Sequence, residues 1–177
     1  MKTEKALITG GAGFIGSHVV RRFVNNYPNY QIINLDKLTY AGNLLNLKDI
    51  EQNSNYKFIK GDIVDAVFID NLFSEEQIDS VIHLAAESHV DRSLADASHF
   101  IATNYFGVFN ILSAMKKHQG KKLIQISTDE VYGQIESGSW VESQALDPRS
   151  PYSATKAAAD LLALAYTNSY GLDICIT

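Results

Sequence analysis

The fold is decided by the stretch Lys5-Ala6-Leu7-Ile8-Thr9-Gly10-Gly11-Ala12-Gly13-Phe14-Ile15-Gly16. It begins with a short apolar run, typical of a buried strand, and its glycines then recur every third residue at Gly10, Gly13 and Gly16. The spacing of apolar residues predicts a helix from about Gly13 to Asn25. The side chains expected on its buried side are Phe14, Ile15, Val19, Val20 and Phe23. A strand, a glycine-rich turn and a helix in this order open a βαβ unit.

The same alternation of strands and helices continues along the chain. The predicted strands are Lys5–Thr9, Gln31–Asp36, Tyr56–Lys60, Ser80–Leu84, Lys122–Thr128 and Asp173–Thr177. The later helices are predicted at Val64–Phe73, Ala97–His118 and Pro151–Tyr170, the last with Ser150 as its N-cap and proline at its first position. The pattern predicts an α/β fold, with a doubly wound, Rossmann-type parallel sheet covered by helices on both faces.

Composition limits the classes of protein that fit. The chain has 177 residues, 46% of them hydrophobic, and a formal net charge of −5, which fits one globular domain and disfavours nucleic acid as a partner. A single cysteine, Cys175, and the lack of a signal or membrane segment predict a cytoplasmic protein. The last strand is followed by no turn, so we expect a longer protein in which a C-terminal substrate domain follows residues 1–177.

The glycine turn is a candidate dinucleotide site. Its glycines would let the backbone approach a pyrophosphate, and the helix N-terminus would supply N–H groups to it. Asp36 lies about 20 residues after Gly16, where a carboxylate would accept hydrogen bonds from ribose hydroxyls and repel a 2′-phosphate, which favours NAD over NADP. Alternatively, Asp36 caps its own turn, and Lys37 could tolerate NADP. Asp62 could meet the adenine amino group or cap a helix.

Two further groups are candidates for catalysis. Tyr152 and Lys156 share one helix face, where the ammonium would lower the pKa of the phenol and make it a proton acceptor. Thr128, Asp129 and Glu130 are expected at the carboxyl end of the fifth strand, the edge at which ligands bind in such sheets. Partial burial and the two neighbouring charges would separate the pKa values of the carboxyls, giving an acid and a base. Otherwise they form an ordinary polar loop.

These residues carry a family resemblance over essentially the whole chain. The glycine turn, Asp36, Asn104 and the Tyr152–Lys156 pair resemble the extended short-chain dehydrogenase/reductase superfamily. Within it, the segments 36–43, 85–93 and 127–133 closely resemble dTDP-glucose 4,6-dehydratases. The resemblance implies NAD as cofactor and a nucleotide-sugar, dTDP-glucose, as substrate.

The resemblance also implies roles. Tyr152, with Lys156, would deprotonate the sugar 4-hydroxyl, held by Thr128, while hydride passes from C4 to NAD. Glu130 would take the C5 proton and Asp129 would protonate the departing 6-hydroxyl before hydride returns to C6, as in a hydro-lyase. Ser88 would face the substrate. The cofactor would be lined by Gly10, Gly13, Phe14, Ile15, Gly16, Asp36, Lys37, Leu38, Thr39, Asp62, Ile63, Leu84, Ala85, Ala86, Glu87, Thr103, Tyr152 and Lys156.

Other functions remain open at this point. A nucleotide-sugar epimerase or decarboxylase would share the oxidation step but has no use for an acid at Asp129, and a non-catalytic dinucleotide-binding module would need only the glycine turn and Asp36. His83 and His89 fit a structural and a loop role better than a metal pair, and no metal is expected. The helices at 97–118 and 151–170 are apolar around most of their surface, which predicts a homodimer; alternatively, the expected C-terminal domain covers them.

Overall fold

Residues 3–177, which a computed structural model describes, form one sheet of six parallel strands. The strands are β1 (Glu4–Thr9), β2 (Tyr30–Asp36), β3 (Tyr56–Lys60), β4 (Ser80–His83), β5 (Lys122–Gln125) and β6 (Asp173–Ile176). Their order is β3-β2-β1-β4-β5-β6. Strands β2 and β3 are added on one side of β1, and strands β4 to β6 are added on its other side. The direction in which strands are added therefore switches between β1 and β4, which opens a crevice at the carboxyl edge. The predicted doubly wound fold is confirmed.

The helices lie between the strands. They are α1 (Phe14–Asn26), α2 (Ala66–Glu76), α3 (Val90–Ala95), α4 (Ser98–Phe100), α5 (Val108–His118) and α6 (Pro151–Tyr170). A π-helical segment, Ile101–Gly107, joins α4 to α5, so the helix predicted over 97–118 is not regular. α2 begins later than predicted because Asp65 caps it, its Oδ1 accepting from the N–H of Phe68 at 2.9 Å. The short α3 was not predicted, since six residues carry too little periodicity.

Each face of the sheet has its own core. On one face, Ala6, Ile8 and Ile32 pack with Val20 and Val24 of α1. On the other face, alternate strand residues pack against α2, α5 and α6; they include Leu7, Ile33, Leu35, Val81 and Leu123. Because both faces are covered, the strands read as nearly continuous apolar runs. No helix within residues 3–177 is long and apolar enough to cross a membrane.

Two predictions fail at the carboxyl edge. Phe14 is 80% exposed and Ile15 63% exposed, whereas Ser17, Val20 and Val24 are buried. The first turn of α1 stands at the crevice, so its apolar side chains have no core beneath them. The strand predicted to reach Thr128 ends at Gln125, although the N–H of Ile126 still donates to the carbonyl of His83 at 3.1 Å.

Candidate active site

The glycine turn fits where larger residues would not. Gly10 has φ +71°, and a Cβ there would lie 2.8 Å from the backbone N and Cα of Ala85. A Cβ on Gly16 would overlap the carbonyl oxygen of Gly10. The N-cap of α1 is Gly13, which supplies no side-chain cap, and the first turn of the helix has no acidic residue. The turn therefore presents a helix N-terminus closely packed against the loop after β4, as a pyrophosphate site requires.

A crevice of about 380 Å³ runs along the carboxyl edge beside this turn. Every residue predicted to line the cofactor borders it, except Leu38. Leu38 lies in the turn after β2, in a left-handed conformation with φ 58°, and only its backbone engages Asp36. Ser88, the predicted substrate residue, also borders the crevice. The residues that sequence reasoning did not assign are Leu35, Ala41, Gly42, Gly61, Ile126 and Ser127. Gly61 could have been found, since it directly follows β3.

The two aspartates of the crevice have local partners as well. Asp36 accepts from the N–H of Ala12 at 2.9 Å through Oδ2 and from the N–H of Leu38 at 2.8 Å through Oδ1. It therefore caps its turn and lines the crevice at once. Asp62 accepts from the N–H of Val64 at 3.0 Å and forms an ion pair with Lys37, Nζ to Oδ2 2.6 Å. The ammonium that could have tolerated a 2′-phosphate is paired with Asp62.

Asn104 ties the crevice walls together from the π-helical segment. Its amide accepts from the N–H of Glu87 at 2.8 Å and donates to the carbonyl of Glu87 at 2.9 Å. The same amide nitrogen donates to the hydroxyl of Thr155 at 3.1 Å. Asn104 is 1% exposed, so these bonds satisfy a buried group. The loop after β4 is thereby fixed to α6, and π-helical turns often mark such functional positions.

Tyr152 and Lys156 both lie on the inner face of α6. A capping box between Ser150 and Ser153 starts this helix, and the hydroxyl of Ser93 accepts from the N–H of Tyr152 at 3.2 Å, a contact that was not predicted. Both side chains are buried, and both border the crevice. The helix start therefore fixes where the phenol stands.

The pKa of Tyr152 differs from the prediction. Burial raises it, a hydrogen bond with Thr128 opposes the rise, and the negative charges of Glu130, Asp129 and Asp160 add to it. Lys156 donates to the carbonyl of Ile126, Nζ to O 2.5 Å, rather than to the phenol. The pKa of Tyr152 is therefore raised and not lowered as expected, because burial dominates and the Lys156 ammonium hydrogen-bonds a carbonyl in place of the phenol.

Thr128, Asp129 and Glu130 follow β5 in a short 3₁₀ turn, Asp129–Tyr132. The Thr128 hydroxyl accepts from the N–H of Glu130 at 3.3 Å. Asp129 and Glu130 are exposed and do not line the crevice, so the expected partial burial is wrong. Thr128 and both carboxylates nevertheless lie near enough to Tyr152 to act on the pKa of its phenol. The acid and base candidates and the phenol thus converge.

The histidines hold structural positions. His83 is buried, with Nδ1 2.8 Å from the Thr9 hydroxyl, and burial lowers its pKa to about 3. The ring is therefore neutral at ordinary pH. His89 stacks on Tyr40 with ring centroids 5.6 Å apart. Within residues 3–177, no three histidine, cysteine or carboxylate side chains are grouped to hold a metal.

Comparison with known proteins identifies the family. The family model described as GDP-mannose 4,6 dehydratase matches residues 7–177. The chain belongs to this family. This member of the GDP-mannose 4,6-dehydratase family is 49% identical over 177 residues to the dTDP-glucose 4,6-dehydratase of Streptomyces griseus, covering 99% of the chain and 53% of the relative. The resemblance to dTDP-glucose 4,6-dehydratases is confirmed.

Solved structures extend this finding. A dTDP-glucose 4,6-dehydratase from Streptomyces venezuelae with NAD bound is 47% identical and superposes with a TM-score of 0.92, over 97% of this chain and 54% of that one. A UDP-glucose 4-epimerase from Thermus thermophilus in complex with NAD is 31% identical, with a TM-score of 0.87 over 97% of this chain and 53% of that one. The chain spans about half the length of these relatives. Because an epimerase shares the fold, side chains must distinguish the reactions.

Proposed function

We propose that the full-length protein is an NAD-dependent dTDP-glucose 4,6-dehydratase, a hydro-lyase that forms dTDP-4-keto-6-deoxyglucose. Residues 1–177 are its NAD-binding domain and carry the catalytic side chains, and a C-terminal domain binds the nucleotide of the substrate. One observation carries the proposal: Thr128, Asp129 and Glu130 lie near enough to Tyr152 to act on the pKa of its phenol, and Tyr152 borders the glycine-lined crevice.

The crevice residues fit a dinucleotide. Gly10 has no room for a Cβ against Ala85, and Gly16 has none against the carbonyl of Gly10. The uncapped start of α1 suits a pyrophosphate. Asp36 would accept from the ribose hydroxyls, and Asp62 would meet the adenine. NAD held by these residues would supply a hydride acceptor that is restored within each turnover, so the overall reaction would consume no oxidant. Two of the structural neighbours were solved with NAD.

The first set of residues acts on the sugar 4-hydroxyl. The Tyr152 phenol accepts the proton of this hydroxyl, and the Thr128 hydroxyl holds the sugar oxygen in line with the phenol. The positive charge of Lys156, four residues along the same helix, favours the phenolate that the step requires. Loss of the proton and hydride leaves a ketone at C4, which acidifies the neighbouring C5–H bond.

The second set eliminates water. Glu130 takes the proton from C5, and Asp129 protonates the 6-oxygen, which leaves as water. Both carboxylates are exposed, so a sugar bound beside Tyr152 could reach them. An epimerase inverts C4 and needs neither step, and a non-catalytic module has no use for any of these groups. The adjacent carboxylates therefore favour the dehydratase over both alternatives.

The assembly and the cellular location of the protein are two further parts of the proposal. We infer a homodimer through the helices at 97–118 and 151–170, because Phe106 is 51% exposed, Leu161 57% and Leu164 49%. Such exposed apolar side chains on adjacent helices suit a helix-to-helix interface. The cytoplasmic location rests on the single free cysteine, Cys175.

Mass spectrometry of the full-length protein incubated with dTDP-glucose, UDP-glucose and GDP-mannose tests the proposal. We expect a product lighter than dTDP-glucose by one water, with no reductant or oxidant added. A product of unchanged mass with inverted C4 would indicate an epimerase. Loss of water from another nucleotide-sugar alone would keep the reaction and correct the substrate.

A further inference from the structure

The inner face of α6 carries a third ionisable residue that the reaction above leaves unused. Asp160 follows Lys156 by four residues, as Lys156 follows Tyr152, so the three share one helix face. Asp160 is 4% exposed and interrupts a stretch of buried alanines, Ala157, Ala159 and Ala163. A carboxylate at such a position is costly unless it has partners. Its partners therefore indicate what it does.

The carboxylate of Asp160 holds the end of β5. Oδ2 accepts a hydrogen bond from the hydroxyl of Ser127. Ser127 directly precedes Thr128, and its own N–H donates to the carbonyl of Thr177 at 3.0 Å. The other oxygen, Oδ1, is buried and has no hydrogen-bond partner within residues 3–177. Asp160 thus connects α6 directly to the segment that bears the acid and base candidates.

The same carboxylate acts on Lys156. Lys156 is 5% exposed; burial lowers its pKa, and the negative charge of Asp160 opposes that change. Burial in turn raises the pKa of Asp160, while Ser127 and Lys156 lower it. From β4, His83 also faces this ammonium, but its ring is neutral. Asp160 is therefore the group that offsets the burial of a positive charge on this helix.

We propose that Asp160 is a positioning residue of the active site: it keeps a negative charge one helical turn behind Lys156 and, through Ser127, fixes the segment of Thr128 to Glu130. The inference rests on the proposed function only in that Lys156 must act as an ammonium beside Tyr152. The negative charges of Asp129, Glu130 and Asp160 all raise the pKa of the Tyr152 phenol, so an uncharged Lys156 would leave no positive charge on this helix face to balance them. Removing the charge of Asp160 would then slow the oxidation of the sugar, although Asp160 itself does not contact the sugar.

The test compares two variants of the full-length protein. Asp160→Asn keeps the shape and can still accept from Ser127, but it removes the charge; Ser127→Ala removes the hydrogen bond and keeps the charge. The pKa of Lys156 is measured by trace acetylation at a series of pH values with mass spectrometry. The rate of C4 oxidation is measured in single turnovers over the same range. We expect Asp160→Asn to lower the pKa of Lys156 by about one unit.

In Asp160→Asn, the alkaline limb of the pH profile of the oxidation rate should move to lower pH by the same amount. KM should change less than about twofold. Ser127→Ala should slow the reaction without moving that limb. An unchanged pKa of Lys156 in Asp160→Asn, or an equal shift in Ser127→Ala, overturns the inference. If the protein oxidises no nucleotide-sugar, the proposed function fails, while acetylation still tests Asp160. Should Asp160→Asn not fold, the pair Asp160→Glu and Asp160→Gln, which differ in charge alone, is compared in the same way.

Discussion

Replacing Gly10 by alanine should damage the protein far more than the same change at Gly171, although both glycines have φ +71°. The left-handed conformation costs an L-residue about 1–2 kcal/mol at either position. At Gly10 the new Cβ would also lie 2.8 Å from the backbone N and Cα of Ala85, whereas at Gly171 nothing lies within 4 Å. Overpacking of this kind costs about 1–3 kcal/mol more. We therefore expect losses of about 2–5 kcal/mol for Gly10→Ala and about 1–2 kcal/mol for Gly171→Ala.

Urea unfolding of the two full-length variants measures these losses, and calorimetric titration measures NAD binding. Because Ala85 borders the crevice, a displaced turn should also weaken NAD binding by about tenfold or more in Gly10→Ala, since tenfold corresponds to about 1.4 kcal/mol. Gly171 caps the far end of α6, so its variant should bind NAD normally. Equal losses of stability and of NAD affinity in the two variants would refute the close packing of the turn.

Three further predictions concern the cofactor, a buried histidine and the dimer. NAD should bind about 100-fold more tightly than NADP, because Asp36 repels a 2′-phosphate, and comparable affinities by titration would contradict this. Since the pKa of His83 falls from 6.5 to about 3 on folding, the unfolded state binds the extra proton, and stability is lost as the pH falls below 6.5. Between pH 7 and pH 4, the free energy of unfolding measured in urea should therefore fall by on the order of 3 kcal/mol less in His83→Asn than in the parent protein. Leu161→Asp should yield monomers in sedimentation at micromolar concentration, whereas Val67→Asp, on the exposed side of α2, should stay dimeric; a monomeric parent protein would disprove the interface.

The sequence predicts the sheet and the last helix well because strong local signals mark where these elements begin and end. Ser150 and Pro151 mark the start of α6, and Gly171 with φ +71° marks its end, so the predicted range agrees with the observed one. A strand that is apolar on both faces must be covered on both sides, so in a domain of this size it lies in the middle of the sheet, between two layers of helices. Local chemistry and global packing agree for these elements.

Prediction fails where distant contacts set the local structure. The π-helical segment is held by the bonds of Asn104 to Glu87 and Thr155, which lie 17 and 51 residues away in sequence. Phe14 has the periodicity of a core residue but stands at a crevice that only the folded sheet creates. The pKa of Tyr152 likewise depends on burial and on where Lys156 points. Spacing along a helix gives neither.

Asp160 is a residue whose charge is evident from the sequence but whose contacts are not. A single carboxylate within an alanine-rich helix was a visible signal, but its partner Ser127 lies 33 residues away on another element. Sequence alone shows the charge and the folded chain shows its contacts.

The central claim, that Asp129 and Glu130 eliminate water after Tyr152 begins the oxidation, is tested most directly by single-turnover kinetics of Asp129→Asn in the full-length protein. With dTDP-glucose, we expect NADH absorbance to rise almost as fast as in the parent protein and then to persist, because only the elimination needs the acid. Tyr152→Phe, by contrast, should produce almost no NADH. If Asp129→Asn loses NADH formation as completely as Tyr152→Phe, or dehydrates as fast as the parent, the assignment of the acid is wrong.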